Sequence, residues 1–252
     1  MSLLNQLFLE HRGKVTDKWQ SYIDEYEILL QPYRERNVRL LEIGIQNGGS
    51  LEIWRQYFPY AEKIVGCDIE LACAKLLYDQ PVSVVVGDVN SDEAEQTILK
   101  NSPSFDLIID DGSHRSGDII RAFVRYFRHL NQDALYIVED LHCSYWKDYE
   151  GGLFCPYSSI NFFKSLIDIV SYQYWGVEQT RCSSLKIFSD HYGIAFNEEE
   201  LSHIHSINFK NSICVLTKHH PAKNILGNRI IAGTEALVCD DPLKLKNFVK
   251  LK

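Results

Sequence analysis

Apolar residues recur along this chain in two rhythms. Between residues 16 and 31, Trp19, Tyr22, Ile23, Tyr26, Leu29 and Leu30 follow one another at steps of three and four. That spacing predicts one face of an amphipathic helix, with Pro32 just beyond it as a stop signal. Short apolar runs then take over at 38–43, 63–67, 82–86, 105–109 and 134–138. Runs of this kind read as parallel strands buried on both faces. Helices are predicted between them at 51–58, with Ser50 as cap, at 92–100 and at about 116–129. The alternation with short connections predicts an α/β fold, a Rossmann-like doubly wound sheet with right-handed crossovers. Beyond Asp140 the rhythm loosens: 161–174 reads as helix, and 185–188 and 212–217 read as two later strands suited to an antiparallel pair. The expected sheet is mostly parallel and seven-stranded, preceded by a helical extension. No repeat, low-complexity tract or linker divides the chain, so a single domain over 1–252 is expected.

Composition narrows the partners. A hydrophobic content of 45% with 24% charged residues is that of a globular protein. The formal net charge of -8, with no Lys/Arg block, argues against nucleic acid and against an anionic membrane surface. The seven cysteines are odd in number and include no C-x-x-C pair, which argues against a disulfide framework or a thiolate zinc site. A reducing, cytoplasmic setting is expected on that ground. Residues 1–10 are too short and mixed for a signal peptide, and no apolar run approaches the ~18 residues of a membrane span.

The candidate chemistry lies where the strands end. Glu42-Ile43-Gly44-Ile45-Gln46-Asn47-Gly48-Gly49-Ser50 forms the first turn. Its glycines let a ligand approach the backbone, and the helix that follows favours negative groups. Gln46 stands where a dinucleotide fingerprint would have its second glycine, so a pyrophosphate cofactor is not indicated. Glu42, two residues before Gly44, points instead to S-adenosylmethionine, whose sulfonium is cationic. Gly44, Asn47 and Gly48 would then line the cofactor's approach, and Asp68 would receive the ribose hydroxyls. Asp88 could meet the adenine amino group, although a turn or helix-capping aspartate is an equal reading. A strand–helix turn with no ligand is the plain alternative for the whole segment.

Two acidic clusters carry more: Asp110-Asp111-Gly112-Ser113-His114 and Glu139-Asp140 with His142. Open α/β sheets bind ligands at the carboxyl ends of their strands, and adjacent strand ends lie ~5 Å apart. Asp111, Glu139 and Asp140 could therefore share one hard cation, Mg2+ or Mn2+ rather than zinc. His114 is placed to accept a hydroxyl proton, since histidine rings titrate near neutrality. The plain alternative is a set of loop carboxylates that cap helices. Tyr145 and Trp146, with His142, could offer a platform to a sugar-bearing acceptor; core packing of Trp146 is an equal reading.

These residues together resemble the class I methyltransferases that use S-adenosylmethionine. Within them the chain is similar to the metal-dependent sugar O-methyltransferases of the mycinamicin type, relatives of the rhamnosyl O-methyltransferase and cephalosporin-hydroxylase group. The resemblance rests on Thr16-Asp17-Lys18 with Tyr22 and Tyr26, on 40–54, 65–68, 105–114 and 136–146, and on Ile207-Asn208-Phe209 with Ser212. It implies that Asp111, Glu139 and Asp140 hold Mg2+, that His114 is the general base, and that Glu42, Gly44 and Asp68 bind the cofactor. Asp88 would lie near the adenine and Asp110 near the methionyl part. The chain then divides into an N-terminal helix (16–36), a cofactor-binding core (38–140), an acceptor-side region with the last strands (141–220) and a tail (221–252). A glycan or glycosylated-metabolite hydroxyl is the expected acceptor. Rival readings are a catechol-type methyltransferase acting on an aromatic diol, a non-catalytic cofactor-binding module of a glycan-assembly complex, and an iron-dependent oxygenase. A homo-oligomer is left open.

Overall fold

The computed structural model describes residues 1–239 and 241; the rest of the tail expected at 221–252 lies outside the described residues. Two helices open the chain, α1 (Leu3–Glu10) and α2 (Gln20–Leu30). The alternating part follows: β1 (Arg39–Ile43), α3 (Gly49–Tyr57), β2 (Lys63–Asp68), β3 (Val82–Val86), α4 (Asp92–Asn101), β4 (Phe105–Asp110), α5 (Ser116–Tyr126) and β5 (Leu130–Val138). After it come α6 (Ser159–Val170), α7 (Arg181–Ser184), α8 (Lys186–Tyr192), α9 (Glu198–Ser202), β6 (Ile204–Lys210) and β7 (Ile213–Lys218). The seven strands form one sheet in the order β3-β2-β1-β4-β5-β7-β6. β1 to β5 pair in parallel, and β7 inserts antiparallel between β5 and β6.

Both faces of the sheet are covered, as the apolar character of its strands requires. One core joins the sheet to Phe123, Phe162, Phe163 and Phe188; the other joins it to Tyr22, Tyr26, Trp54 and Tyr57. Trp54 holds the N-terminal extension down: Tyr26 meets its ring edge-on at 5.5 Å and Phe8 at 6.3 Å. Such edge-to-face pairs add specificity to the burial itself. They fix the connection between α1 and α2 above the carboxyl ends of the central strands.

Several expected elements differ in detail. The helix expected from residue 16 starts at Gln20. Residues just before it are engaged elsewhere: Lys14 donates its backbone N–H to Glu52, and the Val15 carbonyl accepts from Gly49 at 3.2 Å. Ser50 does not cap α3. That role falls to Gly48 in a left-handed conformation (φ 79°), while the Ser50 hydroxyl donates to Glu42. The run at 185–188 is helical, not a strand. Leu185 and Phe188 are buried and Ile187 is exposed, a three-residue spacing that an alternating strand would not produce. The second late strand is instead β6, which pairs with β7 through a hairpin turning at Asn211 and Ser212.

Candidate functional site

The strand carboxyl ends surround a cleft of about 610 Å³. Its wall includes Gly44, Asp68, Asp88, Asp110, Asp111, His114, Glu139 and Asp140, and Thr16 to Trp19 close one side. Three non-glycine residues on this rim have left-handed backbones: Gln46 (φ 47°), His114 (φ 57°) and Asp140 (φ 52°). Such conformations cost of order 1–3 kcal/mol each and gather where a site is held in place by its surroundings.

The first turn is drawn tight by carboxylates. Asp68 accepts from the backbone N–H groups of Ile45 and Gln46 through Oδ2, at 2.9 and 2.8 Å, and from Glu70 through Oδ1 at 2.9 Å. Gly44 (φ 80°) lies so near the next turn that a Cβ there would sit 2.1 Å from the Asp111 carbonyl oxygen. Glu42 is buried; Oε2 accepts from Ser50 at 2.7 Å, while Oε1 has no hydrogen-bond partner among the described residues. Asp88 accepts from the Asn90 N–H at 2.9 Å, forming an Asx turn, and lines the cleft. Asp110 is buried, and among the described residues its Oδ2 has no partner. Burial pushes the Asp110 carboxyl up to about 7, with the Gly112 N–H opposing and Asp111 adding to the rise.

Asp111, His114 and Asp140 converge: one ligand atom from each lies within 4.8 Å of the others. His114 Nε2 stands 3.7 Å from Asp140 Oδ2, and His142 Nδ1 stands 3.7 Å from Oδ1. Glu139 is engaged differently. Its Oε1 accepts from the Tyr26 hydroxyl at 2.5 Å and faces the Lys18 ammonium at 2.8 Å. The same ammonium lies 2.5 Å from Asp111 Oδ2 and 3.7 Å from Glu42 Oε1, and the Lys18 side chain is only 1% exposed. Asp140 Oδ1 accepts from the Tyr22 hydroxyl at 2.8 Å and from the Trp19 indole N–H at 3.1 Å.

The electrostatics follow from this arrangement. Burial alone would lower the Lys18 ammonium, but Glu139, Asp111 and Glu42 outweigh it and hold the group well above its ordinary value. Burial pushes Glu139 up to about 8, with Lys18 pulling the other way, and Glu42 is raised for the same reason. Tyr26 is held far above the ordinary phenol value, by burial first and then by Glu139, so it stays a donor.

Lys18, Trp19, Tyr22 and Tyr26 are functional candidates to which sequence reasoning gave no role. The three aromatics fall at steps of three and four and read as a core face; their polar ends go to Glu139 and Asp140. His142 is held by the hairpin turn, its ring and backbone N–H both bonded to the Ser212 hydroxyl. Its ring meets Trp146 at 5.0 Å and Trp19 at 6.1 Å, both edge-on. Trp146 and Tyr145 are about half exposed, so Trp146 is not a core residue; His142, Tyr145 and Trp146 lie outside the residues that line the cleft. Asn47 is exposed on the first turn.

No family model matches the chain. Over 164 residues it is 35% identical to an 8-demethyl-8-alpha-L-rhamnosyl tetracenomycin-C 2'-O-methyltransferase of Streptomyces olivaceus, a match covering 61% of this chain and 42% of the relative. Over 163 residues it is 32% identical to the mycinamicin VI 2''-O-methyltransferase of Micromonospora griseorubida, covering 60% and 40%. The chain thus spans under half the length of the curated relatives it matches. Among solved structures, it superposes on a MycE methyltransferase in complex with Mg, SAH and mycinamycin VI with a TM-score of 0.67. That match has 24% identity and covers 85% of this chain and 53% of that one. The chain has the fold of the class I S-adenosylmethionine-dependent methyltransferases, and its sequence is similar to their sugar O-methyltransferases.

Proposed function

We propose that this chain transfers a methyl group from S-adenosylmethionine to a hydroxyl of a sugar-bearing small molecule or glycan, assisted by Mg2+ or Mn2+. The observation that carries the reading is the convergence of Asp111, His114 and Asp140 at the mouth of the cleft. The relatives' names and the Mg- and SAH-bound MycE structure support the same chemistry.

The residues present fit both groups. The cleft volume of about 610 Å³ suits a nucleoside-sized ligand. Among the described residues the Asp110 Oδ2 has no hydrogen-bond partner, a natural place for the ammonium of the methionyl part. Gly44 would flank that part with buried Glu42 behind it, Asp68 would face the ribose and Asp88 the adenine; Asn47 is exposed and Gly48 is buried against Tyr78, and neither lines the cleft. The donor set for the metal is carboxylate oxygen, which suits Mg2+ or Mn2+, and His114 stands beside it with its ring free for the proton. Asp111 and Asp140 would hold it, with Glu139 as the third carboxylate. When bound, the cation lowers the pKa of a coordinated hydroxyl and the cofactor supplies the methyl group.

The chain's own residues do the rest. His114 takes the hydroxyl proton on Nε2, and Asp140, 3.7 Å away, stabilises the imidazolium that results. The strained backbones at His114 and Asp140 aim both side chains at one point. Trp146, Tyr145 and His142, beyond the cleft wall, would receive the acceptor, aromatic faces against sugar C–H surfaces.

The test is methyl transfer from labelled S-adenosylmethionine to sugar-bearing and catechol acceptors, with EDTA or with added Mg2+. The proposal expects sugar acceptors to be methylated, EDTA to abolish turnover, and His114→Ala to reduce it by ~100-fold or more. Full activity in EDTA would remove the metal. Transfer to catechols alone would change the acceptor class.

A further inference from the structure

Every carboxylate assigned to the cation is already held, and each is held by the same short stretch of chain. Lys18 bridges Asp111 Oδ2 and Glu139 Oε1 at 2.5 and 2.8 Å. Trp19 and Tyr22 both donate to Asp140 Oδ1. The segment that brings Lys18 and Trp19 here has no regular structure of its own. It is pinned at Val15 by the Gly49 N–H and resumes as helix at Gln20. Between those points, Thr16, Asp17, Lys18 and Trp19 form one side of the cofactor cleft.

We propose that Lys18 is a tethered cation that holds the Asp111–Glu139 bridge until a divalent cation displaces it, so that metal entry releases residues 16–19 from the cleft wall. The proposal rests on the metal reading above. Mg2+ takes oxygen ligands at ~2.0–2.1 Å in near-octahedral geometry. An ammonium in contact with Asp111 Oδ2 and Glu139 Oε1 occupies the space such an ion needs between those two atoms. Two cations on the same bridge would also repel each other in a site shielded from water. A cation that uses Asp140 Oδ1 must in addition break the Trp19 indole bond, which pulls on the same segment. The tether keeps the buried carboxylates neutralised before the metal arrives and gives the cation and the cofactor a common gate. Lys18 is thereby a positioning residue: it acts on the reaction through the carboxylates it holds.

The experiment is run on the full chain with Mn2+ as the probe. Wild-type protein is acetylated with an amine-selective reagent in EDTA and in saturating Mn2+, and modification is quantified by peptide mass spectrometry. Lys186, with a side chain 72% exposed, is the internal standard. Lys18 is expected to be protected in EDTA and to react at least tenfold faster with Mn2+, while Lys186 does not change. Calorimetric titration of Mn2+ into wild type and Lys18→Met is expected to give at least tenfold tighter binding in the variant, which has lost its internal competitor. If Lys18→Met does not fold, the wild-type labelling decides alone. Mn2+ binding to wild type with Lys18 still protected would overturn the proposal and leave Lys18 a permanent counter-ion, with the metal reading intact. Equal Mn2+ affinities would also overturn it. Failure of Mn2+ to bind either protein would overturn the metal reading and this inference with it.

Discussion

Asp110 provides a test of the site that needs neither cofactor nor acceptor. Its carboxyl is buried, and its ordinary value of 3.8 rises to about 7 in the folded chain. The sign of the effect on stability follows from proton counting. Below about pH 4 the group is protonated in both states, and its contribution is fully present. As pH rises from 4 towards 7, the unfolded chain loses this proton and the folded chain keeps it. Stability therefore falls, and the loss is complete once pH exceeds the folded value. A gap of this size corresponds to at most about 4 kcal/mol. Asp110→Asn is uncharged in both states and carries no such dependence. Urea denaturation of both proteins at pH 4.5, 6 and 8 in EDTA should show the variant gaining on wild type by roughly 2–4 kcal/mol across that range. A difference that stays constant with pH would mean that Asp110 ionises normally in the folded state, and its assignment as a desolvated group would be wrong. A cationic ligand that settles against Oδ2 should, by the same linkage, bind wild type more tightly at pH 8 than at pH 6.

Two further substitutions probe the framework. Gly44→Ala would force a Cβ to within 2.1 Å of the Asp111 carbonyl oxygen at a left-handed backbone position. A loss of at least ~2 kcal/mol is expected in thermal unfolding, together with loss of cofactor binding by calorimetry; a variant that melts like wild type would show that the two turns are not in contact. Tyr26→Phe removes the hydroxyl donor to buried Glu139 at little change in volume. Denaturant titration should show a loss of ~1–3 kcal/mol, and no loss would mean that Lys18 alone satisfies the carboxylate.

The parts legible in the sequence are those whose cause is local. Buried strands announce themselves as apolar runs, and the residue after each run falls at a strand end, which places Asp68, Asp110 and Glu139 there. What escaped depends on contacts across the chain. Lys18 meets Asp111 across 93 residues, Tyr26 meets Glu139 across 113, and Tyr22 meets Asp140 across 118. Tyrosines at helical spacing look like core whether or not their hydroxyls have a buried acceptor, so only the fold could assign them. The cation set is affected in the same way. Sequence spacing joins Glu139 to Asp111 and Asp140, whereas the folded chain gathers Asp111, His114 and Asp140 and gives Glu139 to Lys18 and Tyr26. The segment at 185–188 shows the limit of periodicity in short runs, since four residues satisfy either a strand or a helix.

Stability does not account for the group at the cleft. Glu42, Asp111 and Glu139 face a single buried ammonium, and Asp140 stands beside them held by two hydrogen-bond donors, with two histidine rings nearby. Removing charges from water costs several kcal/mol per ion, and well-packed apolar side chains in their place are often neutral or stabilising. Burial, with the neighbouring Asp111 adding to it, raises Glu42 and Glu139 above their ordinary values, the mark of carboxylates kept close against their own preference. Gln46, His114 and Asp140 add backbone strain on the same rim. All of these costs fall on the carboxyl ends of β1, β4 and β5, and the carboxylates are met by donors from outside the sheet, on the segment before α2 and on α2 itself. A fold selected for packing alone would have no use for such a cluster; one that must receive a cationic cofactor and a metal at neighbouring strand ends requires it.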